Sequence, residues 1–195
     1  MISKAMHSSK TSEWGTPPEF FRAIDHQFHF DLDVCATDAN AKCARYFTKR
    51  DHALHQRWTC RAGWMNPPYG KHDEGILAWM GHSRRTVESG HAQAMVNLVP
   101  VRTGSVWWRT TITRPAQFGD LCGPLLHSSF GQDTIRLWFR RLLVVAHFVE
   151  GRLKFTGQAG DSAPFDSALV VFQHPDFRAG PRMIAPGLAE KVPQF

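Results

Sequence analysis

Ala94-Met95-Val96-Asn97-Leu98-Val99, closed by Pro100, is the stretch whose reading decides the fold. A strand-length run that is apolar at consecutive positions has both sides of its pleat covered, as in a central strand with a layer on each face. Just before it, Ile76, Met80, Ser83 and Val87 recur at helical spacing and stop at Gly90. Beyond it, Leu142 to Val149 and Ala168 to Phe172 repeat the strand-like pattern. Upstream, Phe28-His29-Phe30-Asp31-Leu32-Asp33-Val34 alternates apolar and polar residues and predicts a strand ending at Asp33. Ala44 to Thr48 is a candidate for another, and Gly63-Trp64-Met65 leads into the turn Asn66-Pro67-Pro68-Tyr69. Strands alternating with helices predict an α/β sheet with helices on both faces. Ligands of such sheets sit at the carboxyl ends of the strands, where Asp33 and Asn66 both fall.

Toward the amino terminus, Thr16-Pro17-Pro18-Glu19 reads as a helix start: Thr16 as cap, Pro17 in the first position, Glu19 completing a capping box. Phe20, Ile24 and Phe28 then share one face. Residues 1–13 are polar without periodicity and are expected to form a loose arm ahead of a single domain over 14–173. Residues 115–135 lack a period and are rich in glycine and serine. They read as an insertion or long loop, open between target recognition and a surface excursion. The proline-punctuated segment 174–195 is expected to be an irregular tail.

Lys and Arg outnumber Asp and Glu by 23 to 17, a formal charge of +6 that favours a polyanionic partner without requiring one. The four cysteines form no C-x-x-C pair and read as reduced thiols of a cytoplasmic protein. The eleven histidines show no metal-ligand spacing, and no apolar run is long enough to span a bilayer.

The chemistry is concentrated in Asn66-Pro67-Pro68-Tyr69. An aromatic amino group is a poor nucleophile because its lone pair is delocalised into the ring. The Asn66 side-chain carbonyl and the Pro67 backbone carbonyl can each accept one of its hydrogens and stabilise the positive charge that develops on nitrogen. Pro67 and Pro68 restrict φ and add no competing N–H donor. Tyr69 supplies a flat face for a base rotated out of the duplex. As a bare string the same four residues also suit an ordinary tight turn.

Trp14-Gly15-Thr16-Pro17 with Phe20, Phe30-Asp31-Leu32-Asp33 with Ala36 and Asn40, Arg45-Tyr46-Phe47-Thr48, Asp51 and Leu54 before Trp58, and Asn66-Pro67-Pro68-Tyr69-Gly70 occur in that order. Leu98-Val99-Pro100, Trp107-Trp108, Gly151-Arg152-Leu153-Lys154-Phe155 and Ala163-Pro164 follow. Together they resemble the phage-type DNA N-6-adenine methyltransferases of the Dam class, over most of the chain from Trp14 to Phe172. The resemblance implies a Rossmann-like methyltransferase sheet, S-adenosyl-L-methionine as methyl donor, and N6 of adenine in double-stranded DNA as acceptor. It implies contact of Thr16 and Pro17 with the methionine part of the cofactor, a cofactor loop at Asp33 and Ala36, and Asp51 near the adenosine. It also implies a phage or prophage origin, with methylation protecting DNA from restriction. Two departures stand out. Val34-Cys35-Ala36-Thr37 replaces a glycine-rich turn, and the short interval from Asp33 to Asn66 leaves little room for two strand-helix units, so some cofactor contacts are expected from loops.

Arg136, Arg140 and Arg141, with Trp138 and Phe139 among them, and then Arg152 and Lys154, form the densest basic region and are the expected DNA contacts. Trp107 and Trp108 read as core. Open alternatives are cytosine N4, an RNA base or a protein glutamine as acceptor, and a non-catalytic nucleic-acid-binding relative.

Overall fold

The computed structural model describes residues 14–69, 75–113, 134–139, 142–156 and 163–179. The expected arm at 1–13, residues 115–133 of the presumed insertion, Arg140, Arg141 and the tail from residue 180 onward lie outside them. Helix α1 spans Pro18–Phe28, followed by β1 at Leu32–Asp33 and two single 3-10 turns at Lys49–Asp51 and Ala53–His55. Strand β2 is Cys60–Met65, α2 is Gly75–Glu88 and β3 is Ala92–Pro100. A short helix α3, Val106–Trp108, runs into a π-helical turn at Arg109–Thr113. Three strands follow: β4 at Thr134–Phe139, β5 at Leu142–Phe148 and β6 at Ser167–Gln173.

The six strands form one mixed sheet in the order β1-β2-β3-β6-β5-β4. Strands β1, β2 and β3 run parallel, while β6, β5 and β4 continue the sheet in antiparallel pairings. As its composition predicts, β3 is central and buried on both sides. Ala94, Val96 and Leu98 pack with Phe20, Phe21, Ile24 and Phe28 of α1. Met95 and Val99 face the other way, against Met80 and Val87 of α2 and Trp107 and Trp108 of α3. The polar exception, Asn97, is satisfied: its Oδ1 accepts from Ser83 Oγ at 2.7 Å and its Nδ2 donates to the Val170 carbonyl at 2.7 Å.

Several sequence expectations are corrected. Pro17, not Thr16, stands at the N-cap of α1, and no side chain caps the helix. Four buried apolar side chains contribute on the order of 6–12 kcal/mol gross to docking α1, against roughly 1 kcal/mol for a missing cap, so packing holds the helix. The predicted strand from Phe28 shrinks to Leu32–Asp33, because α1 continues to Phe28 and ends on His29 in the left-handed region, φ 52°. The Asp25 side chain then accepts the Phe30 N–H at 2.8 Å, turning the chain into β1. Ala44 to Thr48 forms no strand; it contributes one parallel bridge, Asp33 with Tyr46. Residues 134 and 135, expected in the loop, open β4. No α-helix joins β1 to β2, as the short Asp33 to Asn66 interval anticipates.

Candidate active site

Strand β2 ends at Met65 and delivers Asn66 to the carboxyl edge of the parallel strands. The Asn66 Nδ2 donates to the Trp14 carbonyl at 2.5 Å and to Thr16 Oγ1 at 3.0 Å. A carbonyl oxygen can only accept, so the nitrogen end of the amide is the end that faces Trp14. Asn66 Oδ1 therefore points the other way, to the Tyr69 hydroxyl at 2.6 Å. That hydroxyl is also 3.0 Å from the Leu98 carbonyl and has a single hydrogen to share between them. The Pro67 carbonyl accepts no hydrogen bond among the described residues.

Trp14 and Thr16 are held in place by a neighbour far away in sequence. Gly15 and Thr156 exchange backbone hydrogen bonds at 3.1 and 2.8 Å, forming an antiparallel bridge. A Cβ on Gly15 would stand 2.2 Å from Thr156 Oγ1, so this close approach requires glycine. Trp14 packs edge-on against Phe155 and Phe165, and Tyr69 meets Phe165 edge-to-face at 5.5 Å. Burial pushes the Tyr69 phenol well above its ordinary value, so it remains a neutral donor.

Asp33 is buried at the end of β1. Its Oδ1 accepts the Cys35 N–H and its Oδ2 the Lys42 N–H, both at 3.1 Å. Desolvation raises its carboxyl pKa, partly offset by those two bonds. The carboxylate thus closes the loop from Val34 to Lys42, where a glycine-rich turn is missing. The amides of Ala36, Thr37, Asn40 and Ala41 also bond within the protein. A ligand on this loop accordingly meets small and polar side chains more than free backbone donors.

These elements enclose a cleft of about 450 Å³, within the range of cofactor sites. Of the sequence-predicted residues, Thr16, Asp33, Ala36, Asn66, Pro67 and Pro68 line it, while Pro17, Asp51 and Tyr69 do not. Asp51 is exposed, and its Oδ2 accepts from both the amide and the hydroxyl of Thr48 at 2.7 Å. Those bonds hold its carboxyl below the ordinary value. Lys49, His52, His55 and Trp79 line the cleft and were not singled out from the sequence, since exposed lysine and histidine side chains and a helical Trp carry no local signature of a ligand. Cys35 also faces the cleft, but burial pushes its thiol up to about 12, so this side chain stays a neutral thiol near neutral pH.

Arg152 and Lys154 alternate with buried Leu153 and Phe155 and point outward on the segment that ends at Thr156. Arg152 lies 3.8 Å from Asp166 in an exposed pair, a contact weak enough to leave the guanidinium able to meet a phosphate. Arg136 lies on β4.

The cleft thus lies at the carboxyl edge of the parallel strands of an α/β sheet, with the Asn66 amide on its wall. The chain belongs to the DNA N-6-adenine-methyltransferase (Dam) family, whose sequence model matches residues 3–118. It is 26% identical over 126 residues to the DNA N-6-adenine-methyltransferase of Haemophilus phage HP1 (strain HP1c1), covering 62% of this chain and 70% of that protein. A 76-residue match at 38% identity covers 34% of this chain and 84% of the proposed methyltransferase YfdM of Escherichia coli (strain K12). The DNA N-6-adenine-methyltransferase of Escherichia phage T1 is 24% identical over 98 residues, covering 49% of this chain and 38% of that enzyme.

Proposed function

We propose that this chain is an adenine-specific DNA methyltransferase that moves a methyl group from S-adenosyl-L-methionine to N6 of adenine in double-stranded DNA. The observation that carries the reading is the Asn66 amide, with its nitrogen end tied to Trp14 and Thr16 and its oxygen end kept as an acceptor by a Tyr69 hydroxyl that has the Leu98 carbonyl as a second partner. Family membership supports the acceptor, and the order of three parallel strands followed by antiparallel returns supports a Rossmann-like methyltransferase sheet.

Ala36 and the Asp33-closed loop are the residues proposed to hold the donor, with Thr16, Lys49, His52 and His55 on the same walls. The bound cofactor supplies a methyl group on a positively charged sulfur. Asn66 Oδ1 and the Pro67 carbonyl each accept one N6 hydrogen and draw the nitrogen lone pair toward the methyl carbon. The N6 proton, made acidic by the methylation that the bound cofactor would supply, would leave to water. A preorganised partner of this type contributes about 100- to 1,000-fold in rate. The target adenine enters rotated out of the duplex, with Tyr69 against its face, and Arg136, Arg152 and Lys154 meet the backbone phosphates. The proposed setting is the cytoplasm of a bacterium carrying a phage or prophage. Among the described residues no helix is long and apolar enough to cross a membrane.

The test offers the protein cofactor carrying a deuterated methyl group together with duplex DNA, RNA and a glutamine-rich protein, and then digests each substrate for mass spectrometry. Label on N6-methyladenine from DNA is the expected result. Label on N4-methylcytosine, an RNA base or glutamine would overturn the choice of acceptor.

A further inference from the structure

We infer that Thr16 sets the plane of the Asn66 side-chain amide and is thereby a positioning residue for methyl transfer. This rests on the reading of Asn66 as the amino-group acceptor. Neither of the roles expected from the sequence, helix cap or cofactor contact, requires the bond that the hydroxyl makes to Asn66.

An amide has two ends of nearly equal size, and the reaction needs an acceptor at one of them. The Trp14 carbonyl decides which end is which, because an oxygen turned toward it would meet another oxygen. One bond still leaves the amide free to rock about that contact. The second Nδ2 hydrogen, held by Thr16 Oγ1 at 3.0 Å, removes the freedom and fixes the direction of Oδ1.

Three features make the hold stiff. Thr16 is only 2% exposed, so water has little access to replace its hydroxyl. Trp14 and Thr16 flank Gly15, which is pinned on its far side by the paired hydrogen bonds to Thr156. Trp14 is in turn wedged between Phe155 and Phe165. The acceptor direction is thus referenced to the main body of the fold through residues distant in sequence from the catalytic turn. A change at Thr16 is transmitted to the reacting atoms without touching them.

The test compares the full chain with its Thr16→Val and Thr16→Ser variants in two measurements. In steady-state methylation of duplex DNA, Thr16→Val is expected to lower kcat about tenfold, the size of one ordinary hydrogen bond, while KM for DNA and calorimetric affinity for S-adenosyl-L-methionine change less than about twofold. Thr16→Ser, which keeps the hydroxyl, is expected to stay within about threefold of wild type. By NMR without cofactor or DNA, the Asn66 side-chain amide protons, assigned by their loss in Asn66→Ala, are expected to exchange faster in Thr16→Val alone. A drop in cofactor affinity at unchanged kcat, or unaltered amide exchange in Thr16→Val, would overturn the inference. If the wild-type protein makes no N6-methyladenine, the proposed function fails, and the exchange measurement still decides whether Thr16 orients the amide.

Discussion

Asn66 carries no charge to titrate, and its value lies in having one end tied and the other offered. Its partner Tyr69 has one hydrogen and two acceptors, Asn66 Oδ1 at 2.6 Å and the Leu98 carbonyl at 3.0 Å. When an adenine amino group takes Oδ1, the hydroxyl can settle on Leu98 without losing its bond. Tyr69→Phe is therefore expected to change kcat only a few-fold, whereas Tyr69→Ala, which removes the ring, should weaken DNA binding by roughly 1–3 kcal/mol in a fluorescence titration. Because burial raises the phenol well above its ordinary value, the rate should show no Tyr69 ionisation limb below about pH 10. Asp33 uses both oxygens to close the loop from Val34 to Lys42, proposed above to hold the cofactor. Asn at that position accepts only one of the two N–H groups, so Asp33→Asn is expected to weaken cofactor affinity about tenfold by calorimetry, with little change in kcat at saturation. Asn66 was legible in the sequence because a strand followed by Asn-Pro-Pro-Tyr is distinctive. Thr16 was misassigned as a cap because threonine bonds a helix amide and a distant side chain with the same hydroxyl.

Among the elements, the apolar runs of β3, β5 and β6 announced themselves because strands covered on both faces leave no room for polar alternation. Helix α2 was equally legible, from Met80, Ser83 and Val87 to Gly90, whose positive φ of 77° ends it. What the pattern could not give was the boundary between α1 and β1. A helix terminus followed by a turn, and then a two-residue strand, mimics alternation over Phe28 to Val34. Nor could it give the bridge between Gly15 and Thr156, a pairing across most of the chain with no periodic trace. Yet that bridge aims the Trp14–Thr16 segment at Asn66. Gly15→Val, placing a branched side chain where even a Cβ meets Thr156 Oγ1 at 2.2 Å, is expected to cut kcat at least about tenfold. Circular dichroism should show the sheet retained, since the bridge lies outside its six strands.

At the scale of the molecule, two apolar layers clamp one sheet and leave the chemistry at its edge. The layer formed by α2 carries a pH-sensitive contact: the His82 imidazole lies 4.2 Å from the buried Trp58 ring. Burial first, and then the charge of Arg85, lower its pKa below the ordinary value of about 6.5. Below that value the unfolded chain binds a proton the folded protein resists, so stability is lost as pH falls through about 6.5. The urea midpoint is expected to be lower at about pH 5.5 than at about pH 7.5, and His82→Asn should narrow the gap; an unchanged gap would assign the sensitivity to other histidines. The overall class of fold and the position of the Asn66-Pro67-Pro68-Tyr69 turn at the end of β2 were both readable because each is local in sequence, while the arrangement that orients the turn is not. The most direct measurement is of N6-methyladenine, by mass spectrometry of nucleosides, after incubating unmethylated duplex DNA and S-adenosyl-L-methionine with the wild-type protein or with Asn66→Ala. Product from the wild type, reduced at least about 100-fold in the variant, is the expected result. Equal product from both would contradict the role of Asn66, and none from either, with the cofactor bound, would contradict the acceptor itself.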